Sequence, residues 1–270
     1  MSALPETRVV RLARKGSCLF VTMDDPVTRN ALSQAMVSDL EAVLAATRDD
    51  RTLQAMVLQG CEGRFCAGAD LKGTAGLEQG PGGPDPVREE NRRGGRLFHA
   101  MNGHPLAVIA LVDGPAMGGG FGLACCADIV VTTPNARFAL SETRLGLAPA
   151  QIAPFVVGRI GLSATRRLAL TGARLGGEEA CAIGLGDHHC ASLEAADALV
   201  QRLLADIGRC GPRANAMTKA LLLDIAGADR AERLIERAAE VFTACLRGDE
   251  GREGVAAFIE KRPPAWTGTT

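Results

Sequence analysis

Short apolar runs, each about the length of a β-strand, recur along roughly the first 190 residues of the chain. They predict strands at residues 9–14, 17–23, 53–60, 106–112, 127–132 and 136–140. Those at residues 53–60 and 106–112 are expected to be buried. Residues 33–50 have apolar positions at helical spacing, and we expect Ser33 to cap this helix. Further helices are expected at residues 88–102, 149–161, 163–172 and 176–185. Because strands alternate with helices, we expect an α/β fold with a mostly parallel, layered sheet.

From about Ser192 the composition shifts to residues that favour helices. The helical segments are residues 193–210, 212–225, 229–248 and 253–263. We therefore expect a core of strands and helices, residues 1–191, followed by a helical C-terminal region, residues 192–270. Within the core, residues 73–87 contain five glycines and three prolines, which predict a mobile surface loop.

The composition excludes several kinds of protein. Hydrophobic residues make up 47% of the 270-residue chain, which is enough for a sizeable core. The net charge of −1 and the single Trp do not favour nucleic-acid binding, and no apolar run reaches the ~18 residues of a membrane helix. Nine cysteines without regular spacing indicate reduced thiols in a cytoplasmic protein. We expect no signal peptide, because the N-terminal segment has no cationic stretch followed by an apolar run. We expect no metal site, because His188 and His189 lack a second ligand pair at metal-binding spacing.

Three consecutive glycines, residues 118–120, follow a predicted buried strand. Their entropic cost indicates that something approaches the backbone closely at this point. A P-loop is excluded, because Phe121 and Gly122 stand where it needs Lys and then Ser or Thr. A dinucleotide-binding turn has weak support, since its third glycine is missing, although Glu142 stands 20 residues beyond Gly122, where a ribose-binding acid is sought. Packing of a helix start against the sheet is the structural alternative.

A second loop of small residues, Ala67 to Ala69, also follows a predicted buried strand. Two such loops can aim two backbone N–H groups at one point. A pair of backbone donors of this kind stabilises a developing negative oxygen, as in an oxyanion hole. Glu142 lies in a third candidate segment, after a short apolar strand. It is either a solvated loop residue or, if it faces the same pocket, a candidate acid or base.

These motifs resemble those of the enoyl-CoA hydratase/isomerase (crotonase) superfamily, and the resemblance covers nearly the whole chain. The landmarks are TRNALS (28–33), GRFCAGADLK (63–72), HPLAVIALVDGPAMGGGFGLACCADIVV (104–131), ARFALSETRLGLAPAQIAPF (136–155), GLSATRRLALTG (161–172) and EGVAAFIEKRPPAW (253–266). The resemblance implies a crotonase (ClpP-like) spiral of β-β-α turns with a C-terminal helical trimerisation region. The oligomer would be a homotrimer or a dimer of trimers. The implied substrate is an acyl-CoA thioester, so that coenzyme A is part of the substrate and no separate cofactor is expected.

The resemblance also implies roles for individual residues. The N–H groups of Ala69 and Gly119 would form the oxyanion hole for the thioester enolate, and Glu142 would be the catalytic acid/base. The residues implied to contact the CoA part of the substrate are Arg29, Ala31, Cys66, Ala67, Asp70, Leu71 and Gly118. Phe258 and Lys261 would also reach CoA, in the family often that of a neighbouring subunit.

The chain departs from the pattern of the two-glutamate hydratases at Gly122, where those enzymes carry their first catalytic glutamate. The position of the second is occupied by Glu142. One carboxylate is sufficient for double-bond isomerisation, and family members that lack a glutamate can be inactive acyl-CoA binders, so both remain alternatives to hydration. The segments around these positions are similar to bacterial 3-methylglutaconyl-CoA and isohexenylglutaconyl-CoA hydratases. We therefore expect hydration of a branched acyl-CoA, with Gly122 leaving space for the branch.

Overall fold

The computed structural model describes residues 4–78, 83–226 and 231–265. The strands are β1 (Val10–Lys15), β2 (Cys18–Met23), β3 (Ala55–Gly60), β4 (Ala107–Val112), β5 (Pro115–Met117), β6 (Ile129–Thr132), β7 (Arg137–Ala139), β8 (Arg174–Gly176) and β9 (His188–His189). The helices of the first part are α1 (Gln34–Thr47), α2 (Leu71–Ala75), α3 (Pro86–Asn102), α4 (Gly119–Cys126), α5 (Ala153–Thr171) and α6 (Gly177–Ala182). Four more follow, α7 (Leu193–Gly208), α8 (Pro212–Ile225), α9 (Ala231–Arg247) and α10 (Asp249–Glu260).

Six strands form the main sheet in the order β1-β2-β3-β4-β6-β9. The β1–β2 pair is antiparallel and every other pair in this sheet is parallel. A smaller sheet has the order β5-β7-β8. The chain twice places one strand in the main sheet, the next in the small sheet and then a helix, as β4-β5-α4 and as β6-β7-α5. The α/β class and the β-β-α turns predicted from the sequence are therefore confirmed.

Both faces of the main sheet are buried, because successive side chains of a strand point to opposite sides. One face packs against α1, α3, α4 and α5 through apolar side chains such as Leu58, Leu40 and Phe121. The opposite face packs against α7 through Ala196 and Val200. Buried, mostly parallel strands explain why the sequence shows continuous apolar runs rather than strict alternation.

The helix ends follow local signals in the sequence. Ser33 caps α1, as expected, and its side chain accepts a hydrogen bond from the Met36 N–H at 3.3 Å. Asp85 caps α3 in the same way at Val87, and Pro86 occupies the first turn. The predicted loop at residues 73–87 is partly wrong, because Asp70 caps the short helix α2, whose last three residues lie in that range. Residues 79–82 of that predicted loop lie outside the described residues.

The C-terminal helices pack in different places: α7 lies on one face of the main sheet, whereas α9 and α10 pack against other helices. Helix α9 lies against α3, and α10 lies against α9 and the 3₁₀ turn Glu142–Leu145. The division into a core, residues 1–191, and a helical region, residues 192–270, stays a prediction. Among the described residues no helix is long and apolar enough to cross a membrane.

Candidate active site

A cavity of about 750 Å³ lies between α3, the 3₁₀ turn and the loops that follow β3 and β5. Its wall includes most of the predicted site residues: Arg29, Ala67, Ala69, Asp70, Leu71, Gly118, Gly119, Glu142 and Phe258. The structure therefore brings together three segments that lie up to 75 positions apart in the sequence, Ala67 to Ala69, Gly118 with Gly119, and Glu142, and it adds Phe258 from α10. The size suits a small-molecule ligand site.

The loop that carries Ala69 is held in place by backbone hydrogen bonds to residues 29–32. The Ala67 N–H donates to the Arg29 carbonyl at 3.2 Å, and the Leu32 N–H donates to the Gly68 carbonyl at 2.7 Å. Gly68 has φ +96°, and a Cβ there would lie 2.9 Å from the Met117 carbonyl oxygen. Only glycine allows the two loops to approach this closely.

The residues of the two expected oxyanion donors lie beside this contact, because Ala69 follows Gly68 directly and Gly119 lies close to Gly68. The Gly119 nitrogen lies 3.7 Å from the position that a Cβ on Gly68 would occupy. Gly119 is the first residue of α4, so its N–H has no acceptor within the helix. Among the described residues neither the Ala69 N–H nor the Gly119 N–H donates a hydrogen bond. Two free backbone donors therefore line the cavity, one of them at the electropositive end of a helix.

Glu142 opens the 3₁₀ turn directly opposite Gly118. The Gly118 N–H donates to the Ala139 carbonyl at 2.9 Å, which ties the glycine loop to the strand before Glu142. A Cβ on Gly118 would lie 3.0 Å from Glu142 Oε1. Gly118 also has φ +46°, so two constraints favour glycine at this position.

The Glu142 carboxyl is desolvated. Its Oε2 is buried and has no hydrogen-bond partner among the described residues. Burial raises the pKa of the Glu142 carboxyl to about 7, because the charged form loses its hydration. A carboxyl with such a pKa can both accept and return a proton near neutral pH.

The raised pKa predicts that Glu142→Gln stabilises the folded protein at alkaline pH. The ordinary pKa of the carboxyl is 4.5 and the folded value is about 7, so folding binds a proton between these values. The protonated wild-type carboxyl therefore contributes its full stability below pH 4.5, and wild type loses this contribution as the pH rises through about 7. Glutamine does not ionise, so its advantage should grow to at most about 3 kcal/mol at high pH. Urea unfolding over a pH series measures it.

The matched control for this pH series is the same substitution at Glu178, an exposed residue of α6. This variant should not show the gain in stability at alkaline pH that is expected of Glu142→Gln. A difference between wild type and Glu142→Gln that does not change with pH would contradict the burial of an ionisable carboxyl at this position.

Three predicted CoA contacts do not line the cavity. Ala31 is buried and Cys66 is completely buried in the core, where burial raises the pKa of its thiol to about 12. The Cys66 carbonyl accepts a hydrogen bond from the Met117 N–H at 2.9 Å, so Cys66 links the loop after β3 to the end of β5. Lys261 is exposed and ends α10 in the left-handed conformation, with φ +56°. Phe258, in contrast, lines the cavity of its own chain.

The expectation that Gly122 leaves space for a substrate branch is wrong. Gly122 is buried in α4 and does not line the cavity. A Cβ on Gly122 would lie 2.8 Å from the Cβ of Ile152 and 3.2 Å from Cε1 of Phe98. Gly122 therefore allows α4 to pack against α3 and the start of α5, and Ile152 fills the volume that a side chain would take.

Sequence reasoning missed the residues of α3 that line the cavity. They are Val87, Glu90, Asn91, Gly94 and Phe98, which share one face of the helix. Gln151 and Phe242 were also missed. The pair Gly94-Gly95 inside a predicted helix was a usable signal, since each helical glycine costs about 1 kcal/mol relative to alanine.

Comparison with known proteins shows similarity over nearly the whole chain. The model of the Enoyl-CoA hydratase/isomerase family matches residues 13–269. The human mitochondrial enoyl-CoA hydratase domain-containing protein 2 is 34% identical over 92% of this chain and 85% of its own length. The structure of Pseudomonas aeruginosa AtuE is 45% identical, with a TM-score of 0.78 over 96% of this chain and 99% of that one. An enoyl-CoA hydratase structure from Mycobacterium avium is 36% identical, with a TM-score of 0.85 over 97% and 100% of the two chains.

The described residues contain no group of three or more His, Cys, Asp or Glu side chains that could hold a metal ion. The cavity wall contains the free backbone N–H groups of Ala69 and Gly119, the desolvated Glu142 carboxyl and apolar side chains. The family match spans nearly the whole chain, and the solved relatives share its architecture. The chain belongs to the enoyl-CoA hydratase/isomerase family.

Proposed function

We propose that the protein is an enoyl-CoA hydratase that adds water across the double bond of an α,β-unsaturated acyl-CoA thioester. The observation that carries the proposal is the buried Glu142 Oε2 beside two backbone donors, none of which has a hydrogen-bond partner in the described part of the chain. Relatives named as hydratases, and the name carnitinyl-CoA dehydratase of an Escherichia coli relative, support chemistry on water and a double bond.

The proposed reaction is a conjugate addition. Water attacks the β-carbon while Glu142 takes one of its protons, and the electrons of the double bond move onto the thioester oxygen. The N–H groups of Ala69 and Gly119 stabilise the resulting enolate. Glu142 then returns the proton to the α-carbon, which gives the 3-hydroxyacyl thioester. A single carboxyl therefore handles both proton transfers, and its pKa of about 7 suits both directions.

Isomerisation is the second candidate, because Gly122 stands where the two-glutamate hydratases carry a carboxylate. The space beside Gly122 is filled by Ile152 and Phe98, so no second carboxylate enters the site from that direction. In an isomerase, Glu142 would move one proton between two carbons and no water would be added. An inactive acyl-CoA binder would use the same cavity without either step.

A panel of acyl-CoA esters separates these proposals. Crotonyl-CoA and 3-methylglutaconyl-CoA are incubated with the purified protein, and the products are identified by mass spectrometry. Hydration adds the mass of one water, isomerisation leaves the mass unchanged and moves the double bond, and a binder returns the ester unchanged. We expect hydration, with the branched glutaconyl-type ester as the better substrate.

The CoA part of the substrate is proposed to lie along the rim formed by the loop after β3 and by α10. Arg29, Ala67, Asp70, Leu71 and Phe258 all line this part of the cavity. The exposed guanidinium of Arg29 can neutralise phosphate oxygens, and the Phe258 ring, 52% exposed, offers an apolar surface.

Assembly into a homo-oligomer is proposed from the surface of α8. Met217, Leu221 and Ile225 follow each other at intervals of four residues, and they are 64%, 58% and 74% exposed. An apolar stripe of this kind on one face of a helix marks an interaction surface. We propose that a second copy of the chain covers it, in a trimer or a dimer of trimers.

The double substitution Met217→Asp and Leu221→Asp is expected to convert the oligomer to monomers. Two buried carboxylates at an apolar interface would cost several kcal/mol. Light scattering after gel filtration measures the mass. The control is Leu193→Asp, which changes an exposed leucine at the start of α7 and should leave the mass unchanged. A double variant that keeps the wild-type mass would contradict this interface.

The cysteines support a cytoplasmic location. All nine are free, and five are buried. Burial raises the pKa of the Cys18 thiol to about 11, which leaves it protonated and unreactive.

A further inference from the structure

The α3 wall of the cavity contains a pair of amides whose orientation is fixed by the backbone. Gln151 is buried, and its Nε2 donates to the carbonyl oxygen of Ile235 at 3.0 Å and to Oδ1 of Asn91 at 2.8 Å. A carbonyl oxygen can only accept a hydrogen bond, so the Gln151 amide cannot be reversed. Because Gln151 Nε2 can only donate, Asn91 must turn its oxygen, the acceptor, toward Gln151.

The Asn91 Nδ2 group is therefore directed away from Gln151. Asn91 lines the cavity, and among the described residues its Nδ2 donates to no protein group. Each amide nitrogen carries two N–H donors and accepts nothing. The wall thus presents a fixed donor, which favours a ligand oxygen and disfavours a ligand N–H.

Two glycines of α3 lie near this donor, and they differ in what a Cβ would contact. Gly95 is buried, and a Cβ there would lie 2.7 Å from Cδ of Gln151, so glycine is needed for Gln151 to pack against the helix. Gly94 lines the cavity one turn after Asn91, and a Cβ there would meet nothing within 4 Å. Packing does not require glycine at this second position, whereas a ligand could use the space.

We propose that Asn91 and Gly94 form a specificity subsite for the acyl group, in which Asn91 Nδ2 donates a hydrogen bond to an oxygen of the substrate and Gly94 leaves room for a branch. The proposal rests on the proposed hydration of an acyl-CoA. The substrate class is a 2-enoyl-CoA ester whose acyl group carries a carboxylate, hydroxyl or keto oxygen beyond the double bond. Gln151 acts as a positioning residue for Asn91.

The test compares matched pairs of 2-enoyl-CoA esters that differ only in the end of the acyl group. One pair contrasts a carboxylate with a methyl group, and the other contrasts a hydroxyl with a methyl group. The ratio of kcat/KM within a pair should favour the polar ester by about tenfold in the wild type. Asn91→Leu, which is similar in size, should reduce the ratio to about one. Glu90 lines the same wall, so the carboxylate pair shows whether Asn91 outweighs that repulsion.

Two further variants separate the donor from the space. Asn91→Asp keeps an acceptor for Gln151 but removes the donor, so it should also lose the preference for the polar ester. Gly94→Val should lower kcat/KM for branched esters by about tenfold more than for straight-chain esters, because it fills the open volume. The control is Asn102→Leu, at the end of α3 and outside the cavity, which should keep the wild-type ratio.

A polar preference in either pair that Asn91→Leu abolishes supports the subsite, and the pair that shows it identifies the oxygen. Equal ratios in wild type and Asn91→Leu would overturn it. If the wild type turns over none of the esters, the hydration proposal fails, but the subsite remains testable. Dissociation constants of the matching saturated CoA esters then give the same ratio, and equal values in wild type and Asn91→Leu would overturn the subsite.

Discussion

Glu142→Gln is expected to lower kcat for enoyl-CoA hydration by about 100- to 10,000-fold, with a much smaller change in KM. Glutamine keeps the shape of the side chain but cannot take a proton from water and return it to the α-carbon. The wild-type carboxyl has no hydrogen-bond partner at Oε2 among the described residues, so the substitution breaks no structural contact at that atom. Steady-state kinetics on crotonyl-CoA and 3-methylglutaconyl-CoA measure the effect.

The control for this loss is Glu178→Gln, an exposed position on α6 that should keep wild-type kinetics. The stability series described above supplies a second check, because the same Glu142→Gln protein should be at least as stable as wild type at alkaline pH. A folded Glu142→Gln protein with full activity would remove Glu142 from the chemistry.

Gly119→Val is expected to lower kcat by about 100- to 1000-fold, the usual effect of losing one oxyanion-hole donor. A Cβ at this position would lie 2.6 Å from Cδ1 of Leu32. Leu32 packs against the buried core and lines the cavity, so valine at residue 119 would crowd the Leu32 side chain beside the loop that carries Gly68. We therefore expect the Gly119 N–H to shift away from the point that it shares with the Ala69 N–H.

Gly158→Val is the matched control for this substitution. Gly158 also lies in a helix, α5, but it is exposed, and a Cβ there would meet nothing within 4 Å. It should keep wild-type activity. Circular dichroism and thermal unfolding establish that both proteins are folded. A folded Gly119→Val protein that turns over at the normal rate would contradict the oxyanion role.

Local signals explain how much of the site was predictable. The two loops of small residues, Ala67 to Ala69 and residues 118–120, each follow a buried strand, and neighbouring parallel strands deliver them to the same edge of the sheet. The positive φ angles at Gly68 and Gly118 account for glycine at both positions. Ser33 and six strands could be predicted in the same way, because caps and apolar runs are properties of short segments. The short strands β5, β8 and β9 were not predicted.

The missed features depend on contacts between distant segments. Gly122 was expected to open the site, but Ile152, thirty positions further along the chain, occupies the space beside it. The orientation of Asn91 depends on Gln151 and on the carbonyl of Ile235, which α9 brings against α3. No local pattern predicts these two hydrogen bonds, although the Gly94-Gly95 pair indicated the face of α3 that lines the cavity.

Three glycines that look alike in the sequence therefore have different surroundings in the structure. Gly119 provides a donor, Gly122 allows two helices to pack, and Gly94 faces open space in the cavity. They are distinguished by the atoms that a Cβ added at each position would contact.

Incorporation of heavy oxygen from labelled water is the most direct test of enoyl-CoA hydration by Glu142. Crotonyl-CoA and 3-methylglutaconyl-CoA are incubated with wild type and with Glu142→Gln in water enriched in heavy oxygen, and the products are analysed by mass spectrometry. We predict one labelled oxygen at C3 of the product with wild type, and a rate at least about 100-fold lower with Glu142→Gln. A product that carries no labelled oxygen, with its double bond moved or unchanged, would contradict hydration by this site.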